Sequence, residues 1–407
     1  MNLIKIVYIY CINIFYMKKY LLFTALFILT IEASWSQQNI FRTSNIISPE
    51  MNANHTVTFR LLAPEAKTIT ITGDWLPMQG YMRTPAPLVK GDSGMWTYTS
   101  PVLPSDLYSY TFSVDGVRCI DPNNAYVLRD VANIFSFFIV GGGKGNDFMV
   151  NEVPHGTVSH PWYPSPGNKM TRRITIYTPP GYENSNEKYP VLYLLHGIGG
   201  DEDAWGGLGR TAEIMDNLIA QKKAVPMIVV MPNGNVSQEA APGEGSEGMV
   251  KPSFMLPHTM DGKFEETFPD IMKFVESNYR VKANKENRAI AGLSMGGFHT
   301  AFISRYYPNT FDYIGLFSPA LNVKSEQAAV TPVYQDIDQK LQQQMHNGYK
   351  LYWIAIGKDD FLYKNVEEYR KKLDGMGMKY EYMESSGGHT WTNWRDYLLV
   401  FAQKLFK

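Results

Sequence analysis

Three residues far apart in the chain, Ser294, Asp360 and His389, carry the groups that acyl transfer needs. Ser294 stands in Gly292-Leu293-Ser294-Met295-Gly296, the G-x-S-x-G spacing of a nucleophile elbow. The apolar run "RAIAG" precedes it and the helical segment "GGFHTAFISRYY" follows it. A serine hydroxyl is a weak nucleophile until a base takes its proton, and the base needs an acid to hold its tautomer. The glycines have a steric purpose. The serine of such a turn occupies a backbone region hostile to a Cβ, and its neighbours must let a strand and a helix approach closely. A glycine-rich turn with an incidental serine is the bland alternative, so the partners decide.

Where an elbow of this kind is functional, the acid and then the base follow the serine in the chain. His299, His346 and His389 are the downstream histidines. His299 lies in the helix leaving the elbow and is expected to point away. His346, in "QQQMHNGYK", reads as solvated surface. His389, in "ESSGGHTWTNW", falls between a strand and the last helix, where Gly387 and Gly388 free the loop, and is the expected base. Asp359 and Asp360 both leave the strand "KLYWIAIG", and spacing alone does not choose between them, because one suits the N-cap of the next helix. Asp312, Asp336 and Asp338 follow no buried strand at its carboxyl end. The developing oxyanion needs preorganised donors. Met295 N–H is one, and the turn in "LLHGIGGDEDAW" supplies Ile198 N–H as the other. His196 in that turn reads as a structural hydrogen-bonder. There is no Cys/His metal cluster, and no metal or organic cofactor is implied.

Elements to position these groups are readable from Arg172 onward. "RITIYTP", "YPVLYLLHG", "VPMIVVMP", "NRAIAG", "FDYIGLFSP", "KLYWIAIG" and "KYEYMES" are strand candidates, mostly continuous apolar runs that a sheet covered on both faces requires. Helical segments alternate with them. "KFEETFPDIMKFVESNY" aligns Phe264, Phe268, Ile271, Met272 and Val275 on one stripe, and the last helix, from about Trp391 to Leu405, does so with Trp394, Leu398 and Phe401. The expected class is α/β, a doubly wound sheet over residues 172–407. Residues 37–147 hold short β-branched and aromatic runs between turn residues, which predict a smaller all-β sandwich. A Pro/Gly-rich stretch, 148–171, reads as a linker. The polar insertion 235–262 reads either as a substrate-binding lid or as a mobile loop.

A chain of 407 residues with 44% hydrophobic and 14% aromatic content can bury cores in two domains. Its formal net charge of −1 gives no electrostatic reason to expect nucleic acid or an anionic membrane as partner. Residues 1–36 differ in kind. From Met17, "MKKYLLFTALFILTIEASWSQQ" has the layout of a secretory signal peptide, with Ser34 and Ser36 at the cleavage positions and Gln37 first in the mature chain. Residues 1–16 look like an extension from a misplaced start. The apolar run is short for a membrane span, so a secreted or periplasmic product without a stable span is expected. Cys119 would then be the only cysteine left, without a disulfide.

Together "LLHGIGGDEDAW", "GLSMGG", "GKDDFLY" and "GGHTWTNWRDYL", in this order, resemble the esterase-D-like α/β-hydrolases. More narrowly they resemble bacterial feruloyl and acetyl-xylan esterases of the first carbohydrate esterase family, over about Arg172 to Phe406. The resemblance matches the nucleophile to Ser294, the base to His389 and the acid of G-x-x-D to Asp360. It implies a serine esterase removing feruloyl or acetyl groups from a plant polysaccharide such as xylan, through an acyl-enzyme. Trp205, Phe298 and Trp391 are placed by motif position to pack a phenolic ring, with core packing the alternative for at least one. The N-terminal stretch is similar to early-set immunoglobulin-like modules related to glycogen-binding domains. It would either bind sugar, with Trp75, Trp96 and Tyr108 as stacking candidates, or only shape one rim of the site.

Two rival readings remain at this stage. An enterochelin-type siderophore esterase would need a basic pocket for an anionic iron complex, and the linker and 235–262 loop offer only Lys169, Arg172, Arg173 and Lys251. A non-catalytic carbohydrate-binding protein on a hydrolase scaffold would have no use for an intact Ser294, Asp360 and His389 set.

Overall fold

Strands whose every residue is apolar need cover on both faces, and the chain builds a sheet that provides it. The computed structural model describes residues 45–79, 82–322 and 331–407. The leader segment predicted for residues 1–36 lies outside them. A nine-stranded sheet is ordered Thr157–Ser159, Met170–Thr178, Ile228–Pro232, Val191–Leu195, Arg288–Leu293, Tyr313–Phe317, Leu351–Gly357 and Glu381–Ser385, with Trp162–Ser165 also paired to Met170–Thr178. From Ile228–Pro232 to Glu381–Ser385 the pairing is parallel, and the Met170–Thr178 edge is antiparallel. The seven predicted strands are all present. The stretch read as linker is not featureless: Thr157–Ser159 and Trp162–Ser165 form edge strands on Met170–Thr178. Its prolines misled because an edge strand tolerates them.

Alternate side chains of the central strands feed two separate cores, as the period of a strand dictates. In Val191–Leu195, Leu192 and Leu194 pack with the helices Thr211–Ala220 and Trp391–Ala402. Val191, Tyr193 and Leu195 pack with Lys263–Asn278 and Tyr363–Gly375 on the other face. The predicted stripe of Phe264, Phe268, Ile271 and Val275 is buried there, with Met272 partly buried against it.

Upstream, an all-β region has a four-stranded and a six-stranded sheet around one core. Strict alternation in "ITITG" puts Ile69 and Ile71 inside and leaves Thr70 and Thr72 at the surface layer. Phe59 centres this core, stacked on Trp75 at 5.2 Å and edge-on to Tyr110 at 4.8 Å. Residues 46–407 form one compact unit. The all-β region joins the α/β part through Leu107, Leu128 and Phe148, which enter the core containing the Trp391–Ala402 helix. Lys144 ties the two parts by ion pairs of 2.8 Å to both Asp106 and Asp396.

Candidate active site

Ser294 sits between the strand Arg288–Leu293 and the helix Met295–Tyr306 with φ 54° and ψ −114°, a region an L-residue occupies only under constraint. Phe317 O accepts from its N–H at 2.9 Å, and its carbonyl accepts from Phe298 and Ala320 N–H. The glycines are required by contact. A Cβ on Gly292 would lie 2.4 Å from Gly296 C, and one on Gly296 would lie 2.4 Å from Leu195 O.

His389 reaches Ser294 from the far end of the chain: His389 Nε2 is 2.9 Å from Ser294 Oγ, and Nδ1 is 2.9 Å from Asp360 Oδ2. With Nδ1–H donating to the carboxylate, Nε2 is left to accept the serine proton. Asp360 is buried and its Oδ1 accepts from Leu362 N–H, whereas Asp359 is exposed. The bases of the two loops touch, since a Cβ on Gly357 would fall 2.2 Å from Gly387 O. Asn393 Nδ2 donates to Ser386 O, and Asp359 N–H to Gly387 O. Gly387, at φ 80°, therefore serves close packing in a pinned loop rather than the loop freedom expected from sequence.

The 196–203 turn stands against the elbow. A Cβ on Gly197 would be 3.3 Å from Ser294 Cβ, so the Ile198 amide belongs to a turn in contact with the serine. Met295 opens the elbow helix, where the first amides have no intrahelical acceptor. His196 is buried and accepts from Gly234 N–H at 2.8 Å through Nε2, with Nδ1 2.7 Å from Gly197 O. Burial pushes its pKa down to about 4, so it is neutral and structural. Glu202 anchors the turn from behind. It accepts from Arg173 at 2.9 Å, Asn233 at 2.9 Å and Ala241 N–H at 2.7 Å. Burial, with Asp201 and Asp203 nearby, raises its pKa to about 7.

The aromatic candidates separate. Phe298 does not face the site: it is fully buried with Phe302, Val333 and Tyr334. The fourth residue past Ser294 on a helix turns inward when that helix is covered on every side. Trp205 is also core, its Nε1–H donating to Leu195 O at 2.9 Å. Trp391 is partly exposed above it at 5.3 Å, edge-on, and lines a cavity with His389. Trp96 and Tyr108 belong to the all-β core, hydrogen-bonded to Ala63 O and Pro104 O, and offer no stacking face, while Trp75 is partly buried against that core and stacked on Phe59. Sequence reasoning missed Phe361, an exposed ring 4.5 Å from the His389 imidazole. It adjoins Asp360, and an apolar residue directly after the catalytic-type aspartate was the available signal.

His299 is fully buried and paired with Glu265 at 2.8 Å, away from the site, and His346 is exposed, as expected for both. Residues 235–241 of the polar insertion are held against the 196–203 turn, by Asn235 Nδ2 donating to Gly200 O and by the Ala241 amide. Beyond them Met249, Phe254 and Met255 are exposed, and Phe254 lies beside Gly199, where a Cβ would be 3.3 Å from its ring.

A parallel sheet with a strand–serine–helix elbow, and an acid and a histidine arriving from later strand ends, defines an α/β-hydrolase. Residues 165–405 match the family model described as "Putative esterase", and the chain belongs to that family. It is 30% identical over 88% of its length to an endo-1,4-beta-xylanase/feruloyl esterase of Xylanibacter ruminicola, of which it spans 46%. Among solved structures, the fold is similar to a ferulic acid esterase of the anaerobic fungus Anaeromyces mucronatus (TM-score 0.52, 24% identity, 64% of this chain and 95% of that one). It is also similar to the enterobactin esterase of Shigella flexneri (TM-score 0.60, 15% identity, 86% and 92%).

Proposed function

We propose that the chain is a secreted serine carboxylesterase that removes feruloyl groups, or acetyl groups, from plant cell-wall polysaccharide such as xylan. The observation that carries this is the continuous Ser294–His389–Asp360 hydrogen-bonded line, 2.9 Å at each step. In the proposed reaction His389 takes the Ser294 proton as Oγ attacks the ester carbonyl. Asp360 holds the imidazole and stabilises its protonated form, and the Ile198 and Met295 amides receive the oxyanion. His389 then protonates the departing sugar oxygen, and water repeats the sequence to free the acid.

The feruloyl choice is supported by the likeness to the Xylanibacter ruminicola endo-1,4-beta-xylanase/feruloyl esterase and by the aromatic rim of Phe361 and Trp391 beside His389. Export is supported by the leader-like sequence alone. No described helix is long and apolar enough to cross a membrane. The siderophore reading is disfavoured because its two arginines are committed: Arg172 donates to Asn233 O and Asn235 O, and Arg173 to Glu202 and Asp203. The binding-protein reading is disfavoured by the aligned site.

Hydrolysis of methyl ferulate and p-nitrophenyl acetate by the chain and by Ser294→Ala tests the proposal. Ferulate release that falls roughly a million-fold in the variant is expected, since groups acting as a unit fail together. Substantial turnover by Ser294→Ala would overturn the mechanism, and acetate release alone would move the assignment to a deacetylase.

A further inference from the structure

Phe361 is 63% exposed, yet its ring centroid lies 4.5 Å from that of the His389 imidazole, with the two planes tilted by 50°. A single exposed apolar ring is ordinary on a protein surface. This one is set apart by what holds it and by what it touches. Asp360 N–H donates to Gly357 O at 3.1 Å, Leu362 N–H to Asp360 Oδ1 at 2.9 Å and Tyr363 N–H to Asp360 O at 2.9 Å, so the turn is closed on both sides of Phe361. Asp360 therefore fixes two things at once. Its Oδ2 faces His389 Nδ1, while its Oδ1 and carbonyl hold the backbone from which the Phe361 ring reaches the same imidazole.

Folding gives little reason for this contact, because the ring leaves most of its apolar area in water. The other ring against the imidazole, Trp394 at 4.8 Å and perpendicular, is buried and belongs to the core. The charge that arises in the reaction gives a better reason. On the reading proposed above, the imidazole is neutral until Ser294 Oγ attacks. The proton then passes from Oγ to Nε2, and the ring is positive until that proton leaves with the alcohol. A cation within about 6 Å of the centroid of an aromatic ring is attracted by the negative charge of its face. An attraction absent from the neutral ground state and present once the imidazolium forms lowers the barrier without tightening substrate binding.

We infer that Phe361 is a positioning residue whose ring stabilises the His389 imidazolium, acting through the base rather than on the substrate. The inference rests on the proposed esterase reading and deepens it by adding a fourth side chain to the line of Ser294, His389 and Asp360. The same ring belongs to the aromatic rim, so the test separates the two roles by charge rather than by shape.

Phenylalanine analogues of increasing ring fluorination, placed at position 361 of the full chain, keep the shape of the ring and drain the negative charge from its face. On p-nitrophenyl acetate, whose acyl group has no ring, kcat is expected to fall stepwise with fluorination while KM holds. The fall ends near the level of Phe361→Leu, a loss of roughly two- to fivefold for a ring this exposed. Phe361→Tyr, which restores an aromatic face, stays within about twofold of wild type. Methyl ferulate shows the same gradation in kcat. A kcat indifferent to fluorination, equal losses in Phe361→Tyr and Phe361→Leu, or a loss confined to KM for methyl ferulate overturns the inference. If the wild-type chain cleaves neither ester, the esterase reading has failed. Phosphonylation of Ser294 by a fluorophosphonate then decides the role of Phe361, since His389 still has to take the Oγ proton as fluoride departs. A rate graded by the same analogues supports the inference, and an ungraded rate or no reaction overturns it.

Discussion

Around Ser294, the wall formed by the elbow and the 196–203 turn has no room for one added carbon at Gly292 or Gly296, whereas the wall shared by the last helix and the 127–139 hairpin leaves open space. The first wall is backbone against backbone, set by strand spacing and glycine. The second is side chain against side chain, drawn from segments more than 200 positions apart, such as Asp130 and Arg395. The difference teaches where each property resides. The nucleophile's backbone depends on geometry that a short motif can enforce, while the shape of the space beside His389 depends on surfaces brought together only by tertiary packing.

The sharpest way to break this comparison is at the acid. Asp360→Asn should lower kcat roughly 10,000-fold by presenting the wrong hydrogen-bond partner to His389, with the fold intact by circular dichroism. The neighbouring Asp359→Asn, at an exposed side chain, should stay within about threefold. Equal losses would mean that the carboxylates exchange roles. A smaller effect is expected beneath the elbow. Phe298→Ala should cost about 3–5 kcal/mol of stability in denaturant unfolding, because it empties a fully buried site. The ratio of activity on aromatic to acetyl esters should hold; a shifted ratio would return Phe298 to the substrate pocket.

The smallest effect concerns pH. Glu202 keeps its proton to about pH 7 in the folded chain, against an ordinary value of 4.5, so between these limits the folded state binds more protons than the unfolded. Stability from this group is therefore greatest at low pH and falls as pH rises from about 4.5 to 7, by up to about 3 kcal/mol. Glu202→Gln should flatten that slope in urea unfolding at pH 5 and pH 7. An unaltered slope would show that the turn is wetter than its packing implies.

The apolar strand runs and the elbow were legible because each is a local pattern with one physical reading, and the order serine, acid, histidine singled out His389. What was hidden is instructive. "VLRD" at Val127–Asp130 has no apolar alternation, since only Leu128 is buried, yet pairing with Asn133–Ile139 makes it a strand and brings Arg129 and Asp130 to the site. Trp205 and Phe298 are near Ser294 in motif terms, but sequence proximity does not say which way a side chain points once the helix or turn is covered. Spacing left Asp359 and Asp360 tied. Family resemblance favoured Asp360, and burial separates the two.

Arg129 of the hairpin donates to Asp201 at 2.7 Å, in the turn that presents Ile198, and the hairpin tip at Val131 stands where a Cβ on Gly199 would be 2.7 Å away. Lys144 grips Asp396 in the helix that follows His389. The upstream region thus touches the surroundings of the candidate site at both ends, more like a jamb than a tether. Anyone recombining such enzymes by exchanging whole modules would be replacing part of the doorway together with what stands before it. Exchanges that transplant the 127–144 segment with its partners Asp201 and Asp396 are the ones that keep the frame square.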